Sequence, residues 1–247
     1  MTDATDKRIA ALEAELAAAR ADLQELSSTV SHDLRAPLRH IVSFARLVQE
    51  DAGPQLSAEV QGFLGNISDS AHHLGELLDG LLALSRVGTA SLNVEPVNLQ
   101  ALVQEACTAL TTQHPARTLE WRVGTDLPQV LADEALLRQA LAHLLGNAVK
   151  FTAPRERAII GISAVVGDPA TGVIEIRDNG VGFNPGAHAK LFQVFGRLHG
   201  AREFEGIGMG LAITRKIVQR LGGQVQAQGM LDEGCRLLLE LPISARS

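Results

Sequence analysis

The chain has 247 residues, 22 Lys and Arg against 28 Asp and Glu, 46% apolar side chains and two cysteines. That composition is too apolar and too weakly charged for a wholly disordered chain, no apolar run approaches the roughly 18 residues that would span a bilayer, and two cysteines cannot staple a disulfide scaffold. With no basic start and apolar stretch of a secretory signal at Met1 to Asp6, the expectation is a folded cytoplasmic protein with no membrane span.

The formal charge of −6 is uneven, because the stretch up to Arg86 holds 7 basic and 13 acidic residues and the remainder balances to zero. Nucleic-acid binding is disfavoured, since neutralising phosphates needs clustered Lys and Arg and only 3% of residues are aromatic.

Ile9, Leu12, Leu16, Ala19, Leu23, Leu26 and Val30 recur at alternating steps of three and four, which predicts a long helix with a heptad seam. After a break at Ala52-Gly53-Pro54, a second stripe through Val60, Phe63, Leu64, Ile67, Ala71, Leu74, Leu77, Leu78, Leu81 and Leu84 predicts a second helix. Ser57 is its expected cap, with Glu59 in the first turn. A hairpin of two amphipathic helices cannot cover both stripes alone, so a homodimer forming a four-helix bundle is expected.

The turn formers from Gly88 to Pro96 read as a linker, giving a hairpin over 1–87, a linker over 88–97 and a second domain over 98–247. There the pattern predicts helices at about 99–110, 134–151 and 209–221. Strands are predicted near 119–123, 159–166, 173–177, Val225 and 237–241. This order implies an α+β sandwich of one mostly antiparallel sheet under one helical layer.

Five clusters carry candidate chemistry. In Ser31-His32-Asp33-Leu34-Arg35-Ala36-Pro37-Leu38, the proline removes a backbone donor and is expected to bend the first helix. His32 lies off the apolar seam, and an exposed helical histidine is ordinarily just surface. Here Arg35 and Arg39 project from its face at i+3 and i+7, and from Ser31 to Gln49 Arg35, Arg39 and Arg46 outnumber Asp33. A site receiving an anionic phosphoryl group would use that stripe. Asp33 could hold a proton on one ring nitrogen and leave the other nucleophilic.

On the helix at 134–151, Asn147 and Lys150 share a face, so an amide oxygen able to ligate Mg²⁺ and an ammonium able to meet phosphate lie one turn apart. A solvated polar face is an equal reading. Asp178-Asn179-Gly180-Val181-Gly182 follows a strand. Its carboxylate could accept a hydrogen bond from an exocyclic amine, although Asp-Asn-Gly is also ordinary turn chemistry. Leu191 to Leu198, with Phe192 and Phe195, reads as packing. The run Gly206-Ile207-Gly208-Met209-Gly210-Leu211 opens a helix whose free N–H groups and dipole suit a phosphate. It is not the dinucleotide fingerprint, since the third glycine comes one residue early. Five of the seven phenylalanines (Phe151, Phe183, Phe192, Phe195 and Phe204) fall in or beside these clusters.

In this order and spacing the segments resemble the H, N, G1, F and G2 boxes of sensor histidine kinases, and the wording around His32 and from Glu203 to Gly223 is most similar to the kinase module of phytochrome-type photoreceptors. The resemblance implies a dimerisation and histidine-phosphotransfer hairpin joined to a Bergerat-type (GHKL) ATP-binding domain. It implies ATP and Mg²⁺ as donor and cofactor, autophosphorylation of His32, and a response-regulator receiver domain as partner. By this resemblance His32 is the phospho-acceptor and Asp33 its acidic helper. Asn147 would ligate Mg²⁺, Lys150 would contact phosphate, and Phe151 would stack near the adenine, whose amino group would meet Asp178. Gly180, Gly182, Gly206, Gly208, Gly210 and Leu211 would shape the pocket, while Arg197 and Arg202 in the lid from Gly196 to Glu205 would contact phosphate.

The sequence departs from the family at three places. His143 replaces the first Asn of the N box, Ile207 replaces a Thr common in the G2 box, and Ala36 stands where a Thr or Asn supports phosphatase activity in many relatives. An ATP-binding dimeric signalling scaffold with little phosphotransfer is therefore the alternative reading. About 31 residues precede His32, too few for a sensor domain, so signals are expected from an upstream sensor domain of a longer receptor or from a separate sensor protein.

Overall fold

The computed structural model describes residues 2–165, 170–200 and 203–243. The chain forms two compact units, Met1–Thr89 and Ala90–Ser247. Among the described residues no helix is long and apolar enough to cross a membrane.

The first unit is a helical hairpin. Helix α1 (Thr2–Ala52) continues through Pro37 as one element. Pro37 lacks the N–H that would meet the carbonyl of Asp33, so that carbonyl is freed beside His32. A 3-10 turn at Gly53–Gln55 reverses the chain into α2 (Ala58–Thr89). The Ser57 hydroxyl accepts the N–H of Val60 at 3.3 Å, and the Gln61 amide donates to the carbonyl of Gly53 at 2.7 Å, so both sides of the turn are tied. Leu38, Ala71 and Leu78 pack with Val42 between the helices. Ile9, Leu12, Leu16, Leu26 and Val30 of the predicted seam are all exposed in the single chain, while the side chain of Leu23 lies outside the described residues. On the hairpin, Leu38, Ile41, Phe63, Ile67, Ala71 and Leu74 line most of an apolar groove of about 470 Å³.

The second unit is a two-layer sandwich. Its sheet runs β2 (Thr118–Val123), β4 (Arg157–Val165), β5 (Thr171–Asp178), β7 (Gly234–Pro242), β6 (Gln224–Met230) in spatial order. The β2–β4 pair is parallel and the other pairs are antiparallel. Alternation puts Ile160, Ile162, Ile174, Ile176, Leu239 and Leu241 on one buried face. Helices α4 (Glu134–Phe151) and α6 (Gly210–Arg220) supply Leu141, Leu144, Leu145 and Ile217 against it, and α3 (Leu99–Gln113), with Leu102 buried, packs on α4. The sequence did not predict the short pair β1 (Glu95–Asn98) with β3 (Gln129–Ala132), part of which occupies the stretch read as a linker, nor the single-turn helix α5 (His188–Leu191).

Candidate functional site

In the hairpin, the His32 side chain is 86% exposed, and its Nδ1 lies 3.1 Å from the Asp33 carboxylate. A carboxylate can only accept, so this contact places the ring proton on Nδ1 and leaves the Nε2 lone pair free. Arg35, expected in the cationic stripe, instead pairs at 2.5 Å with Asp79 of α2, which partly cancels its charge. Arg39 is exposed and has no ion pair among the described residues.

The second unit assembles its candidate site around the end of α4. Asp133 caps the start of that helix, accepting the N–H of Leu136 at 3.1 Å and of Asn93 at 3.0 Å. These bonds hold its carboxyl below the usual range. The helix buries Leu137, Leu141, Leu144, Leu145 and Val149 along one stripe, so Asn147 and Lys150 are set at its edge. At the far end Arg117 donates to the carbonyls of Val149 at 2.5 Å and Thr152 at 2.8 Å, satisfying acceptors that a helix terminus leaves open. Asn147 is half-buried, and its side chain has no hydrogen-bond partner among the described residues.

Lys150 lies with its ammonium 4.5 Å from the Phe151 ring centroid and donates to the carbonyl of Glu205 at 3.1 Å. Burial, then the nearby Arg197 cation, holds the Lys150 ammonium below the ordinary lysine range, with Glu205 opposing. Phe151 packs against His199 and Phe204 with centroids 5.5 and 5.0 Å apart, and the His199 ring is 2.9 Å from the carbonyl of Gly182. Arg197 donates to the carbonyls of Gly206 at 2.6 Å and Phe204 at 2.7 Å. The two cations therefore meet carbonyls of the lid and of Gly206 here. Arg202 lies outside the described residues.

Asp178, at the end of β5, is only 6% exposed. Burial pushes its carboxyl up to about 6, against N–H donors from Gly180 at 2.8 Å and Cys235 at 3.2 Å that favour the anion. The loop after it approaches its neighbours closely. At Gly182, with φ of +61°, a Cβ would fall 1.9 Å from the carbonyl oxygen of Met230, so no other residue fits. At Gly208, with φ of +74°, a Cβ would fall 2.5 Å from the carbonyl oxygen of Gly196. This contact stacks the glycine run on the F-box segment.

Gly206 and Gly208 lead into α6, which has Gly210 and Leu211 as its first two residues and no side-chain cap from Met209 before them. Its N–H groups and positive dipole end suit an anion. His143 packs its ring against Gly210. Its buried Nε2 has no hydrogen-bond partner, and burial lowers its affinity for a proton.

The residues fit a nucleotide. Asp178 is a desolvated acceptor for an amine, the open end of α6 suits phosphate, and Asn147 offers an unpartnered amide oxygen of the kind Mg²⁺ takes. Sequence reasoning missed Arg117, Arg155 and His199. An arginine whose partners are backbone carbonyls far away in the chain leaves no motif, and His199 was visible only as a polar ring inside the lid.

Two family models match: the His Kinase A (phospho-acceptor) domain over residues 22–90, and the histidine kinase-, DNA gyrase B- and HSP90-like ATPase over residues 132–245. The chain is 33% identical over 235 residues to the circadian input-output histidine kinase CikA of Synechococcus elongatus, covering 91% of this chain and 30% of that protein. It is 29% identical to cyanobacterial phytochrome A of Nostoc sp., covering 96% of this chain and 31% of that protein. It thus spans less than a third of the length of either. Among solved structures, full-length ShkA in complex with AMPPNP superposes with a TM-score of 0.64 at 30% identity, covering 90% of this chain and 46% of that one.

Proposed function

The chain belongs to the histidine kinases, carrying the phospho-acceptor and ATPase domains of that family, and we propose that it phosphorylates its own His32 from ATP and passes the phosphoryl group to an aspartate of a response-regulator receiver. The observation that carries this reading is the free Nε2 of an exposed His32 held in one tautomer by Asp33. Nε2 attacks the γ-phosphorus, the bond to the β-phosphate oxygen breaks, and ADP leaves with that electron pair. An aspartate oxygen of the receiver then displaces the imidazole, breaking the P–N bond and regenerating neutral His32. Asp33 retains the Nδ1 proton at the start and stabilises the positive ring while it carries the phosphoryl group.

In the second unit Asp178 accepts from the exocyclic amine of adenine and Phe151 offers a face to the base. Lys150 and Arg197 exchange their lid carbonyls for phosphate oxygens, and the N–H groups from Gly208 to Leu211 receive the phosphate chain. Asn147 is the residue that would hold Mg²⁺, which when bound neutralises phosphate charge. The hairpin works as a homodimer, because its apolar groove and exposed seam need a second copy to cover them. Signals enter through α1, from an upstream sensor domain or a sensor protein.

Incubation with γ-labelled ATP tests the reading. Acid-labile, base-stable label is expected on the wild type and none on His32→Ala, while ATP binding stays within about twofold. Nucleotide binding without label on the wild type would favour the scaffold alternative, for which the unpartnered His143 at the usual Asn position is the supporting observation.

A further inference from the structure

We infer that Arg155 is a positioning residue that sets the base selectivity of the nucleotide pocket. The inference rests on the reading of Asp178 as the adenine contact. Arg155 stands three residues past Thr152, where its N–H donates to the Thr152 carbonyl at 2.9 Å. Its guanidinium donates from Nε to the carbonyl of Asn179 at 2.9 Å and from Nη2 to the carbonyl of Gly180 at 3.0 Å. The same Nη2 meets the carbonyl of Asp232, in the β6–β7 turn, at 2.7 Å. The Asp232 carboxylate adds charge at 3.7 Å. One side chain thus joins the end of α4, the loop after Asp178 and a turn more than 50 residues further on.

The carbonyls of Asn179 and Gly180 belong to the loop that aims the buried carboxylate. The N–H of Gly180 donates to Asp178 while its C=O accepts from Arg155, so that residue is gripped on both sides. The Asn179 side chain is pinned to β4, accepting the N–H of Ile159 at 2.9 Å and donating to the carbonyl of Arg157 at 3.1 Å. The β6–β7 turn is pinned as well, since the N–H of Asp232 donates to the carbonyl of Val181 at 2.8 Å. A guanidinium presents a rigid, planar set of donors that can serve several fixed acceptors together, which a flexible amine or an amide cannot. Without Arg155 the carbonyls of Asn179 and Gly180 lose their donor, and these peptides keep only their N–H side bonds, Gly180 to Asp178 and Val181 to the carbonyl of Phe151 at 3.1 Å, so the aim of Asp178 loosens. The phosphate end, held by α6, Lys150 and Arg197, does not touch Arg155.

The test compares ATP with inosine triphosphate, whose carbonyl oxygen replaces the exocyclic amine, by titrating the whole chain calorimetrically. The wild type is expected to prefer ATP, and Arg155→Gln to lose roughly tenfold in ATP affinity but less than about twofold for inosine triphosphate, so that the ratio collapses. Asp178→Asn should collapse the same ratio. Equal losses for both nucleotides would mean a merely structural role and overturn the inference, as would an unchanged ratio. A wild type with no preference for ATP would overturn the Asp178 reading and this inference with it. Should Arg155→Gln fail to fold, Arg155→Lys retains the charge on a single donor nitrogen without the planar fork and reads the same ratio at smaller amplitude, and an unchanged ratio there overturns the inference equally.

Discussion

The hairpin α1–α2 buries Leu38, Ala45, Ala71, Leu78, Leu82 and Val87 but leaves Leu34, Ile41, Phe44, Phe63, Ile67 and Leu74 in solvent, along with the seam of α1. In the sandwich, by contrast, the large apolar residues in solvent are, among the described residues, Val94, Val194, Phe195, Met230 and Leu231, scattered over loops and strand ends. A sheet with one helical layer closes a core from its own chain, whereas two helices bury only the line where they touch. The difference extends to chemistry. Burial in the sandwich shifts Asp178, Lys150 and His143, while His32 stands in water with the Asp33 carboxylate as its partner.

If the hairpin is incomplete alone and the sandwich complete, charges placed on the hairpin's apolar face should separate the copies and spare the pocket. Phe63→Asp with Ile67→Asp puts four carboxylates into a dimer seam where each lost apolar side chain is worth about 1.5–3 kcal/mol. The dimer dissociation constant should rise at least roughly a thousandfold by sedimentation, with ATP affinity within about twofold of wild type. A variant that stays dimeric at micromolar concentration would place the interface elsewhere.

The next effect is confined to the sandwich. Asp178 is raised in the folded state from 3.8 to about 6, so folding disfavours its charged form. The stability tied to its proton is complete below pH ~4 and is lost as pH rises through ~6. Asp178→Asn does not titrate, so its stability relative to wild type should improve by about 1 kcal/mol between pH 5 and pH 8. Denaturation followed by fluorescence of Trp121, the single tryptophan and part of β2, reads this unit alone. The same variant should bind ATP roughly tenfold more weakly at pH 8. A relative stability that is flat or falls with pH would show the carboxylate to be better solvated than its burial indicates.

The same contrast governs how much was legible in the sequence. Periodicity placed α4 at 134–151, where it stands, because its apolar stripe is long and its Asp133 cap is local. It missed β1 and β3 because strands of four residues, one containing Pro96, carry no pattern of their own. Asp178 could be picked out by its place at a strand end. Its burial could not, since the Cys235 N–H that holds it comes from 57 residues away. The pairing of Arg35 with Asp79 crosses 44 residues and two helices, so a face drawn on α1 alone overstated the cationic stripe. Lys150 and Arg197 were read toward phosphate, and their carbonyl partners Glu205, Phe204 and Gly206 are set by how the lid folds back.

The smallest expected effect lies in what remains of that stripe. Arg39 is seven residues from His32, which along a helix is roughly 10 Å, about one screening length at moderate salt. Its attraction for an arriving phosphoryl group is therefore modest, and Arg39→Gln should slow labelling of His32 only about two- to threefold at ~0.02 M salt, and not measurably at ~0.5 M. Arg35 is nearer but is partnered by Asp79, with side chains 43% and 63% exposed, a pair that adds at most about 1 kcal/mol to stability. Arg35→Gln should thus cost no more than Arg39→Gln. Asp79→Asn, which frees the Arg35 charge, should speed labelling up to about twofold at low salt. Slower labelling in Asp79→Asn would mean that the ion pair holds the two helices in register beside His32, and that α1 and α2 depend on it for more than charge.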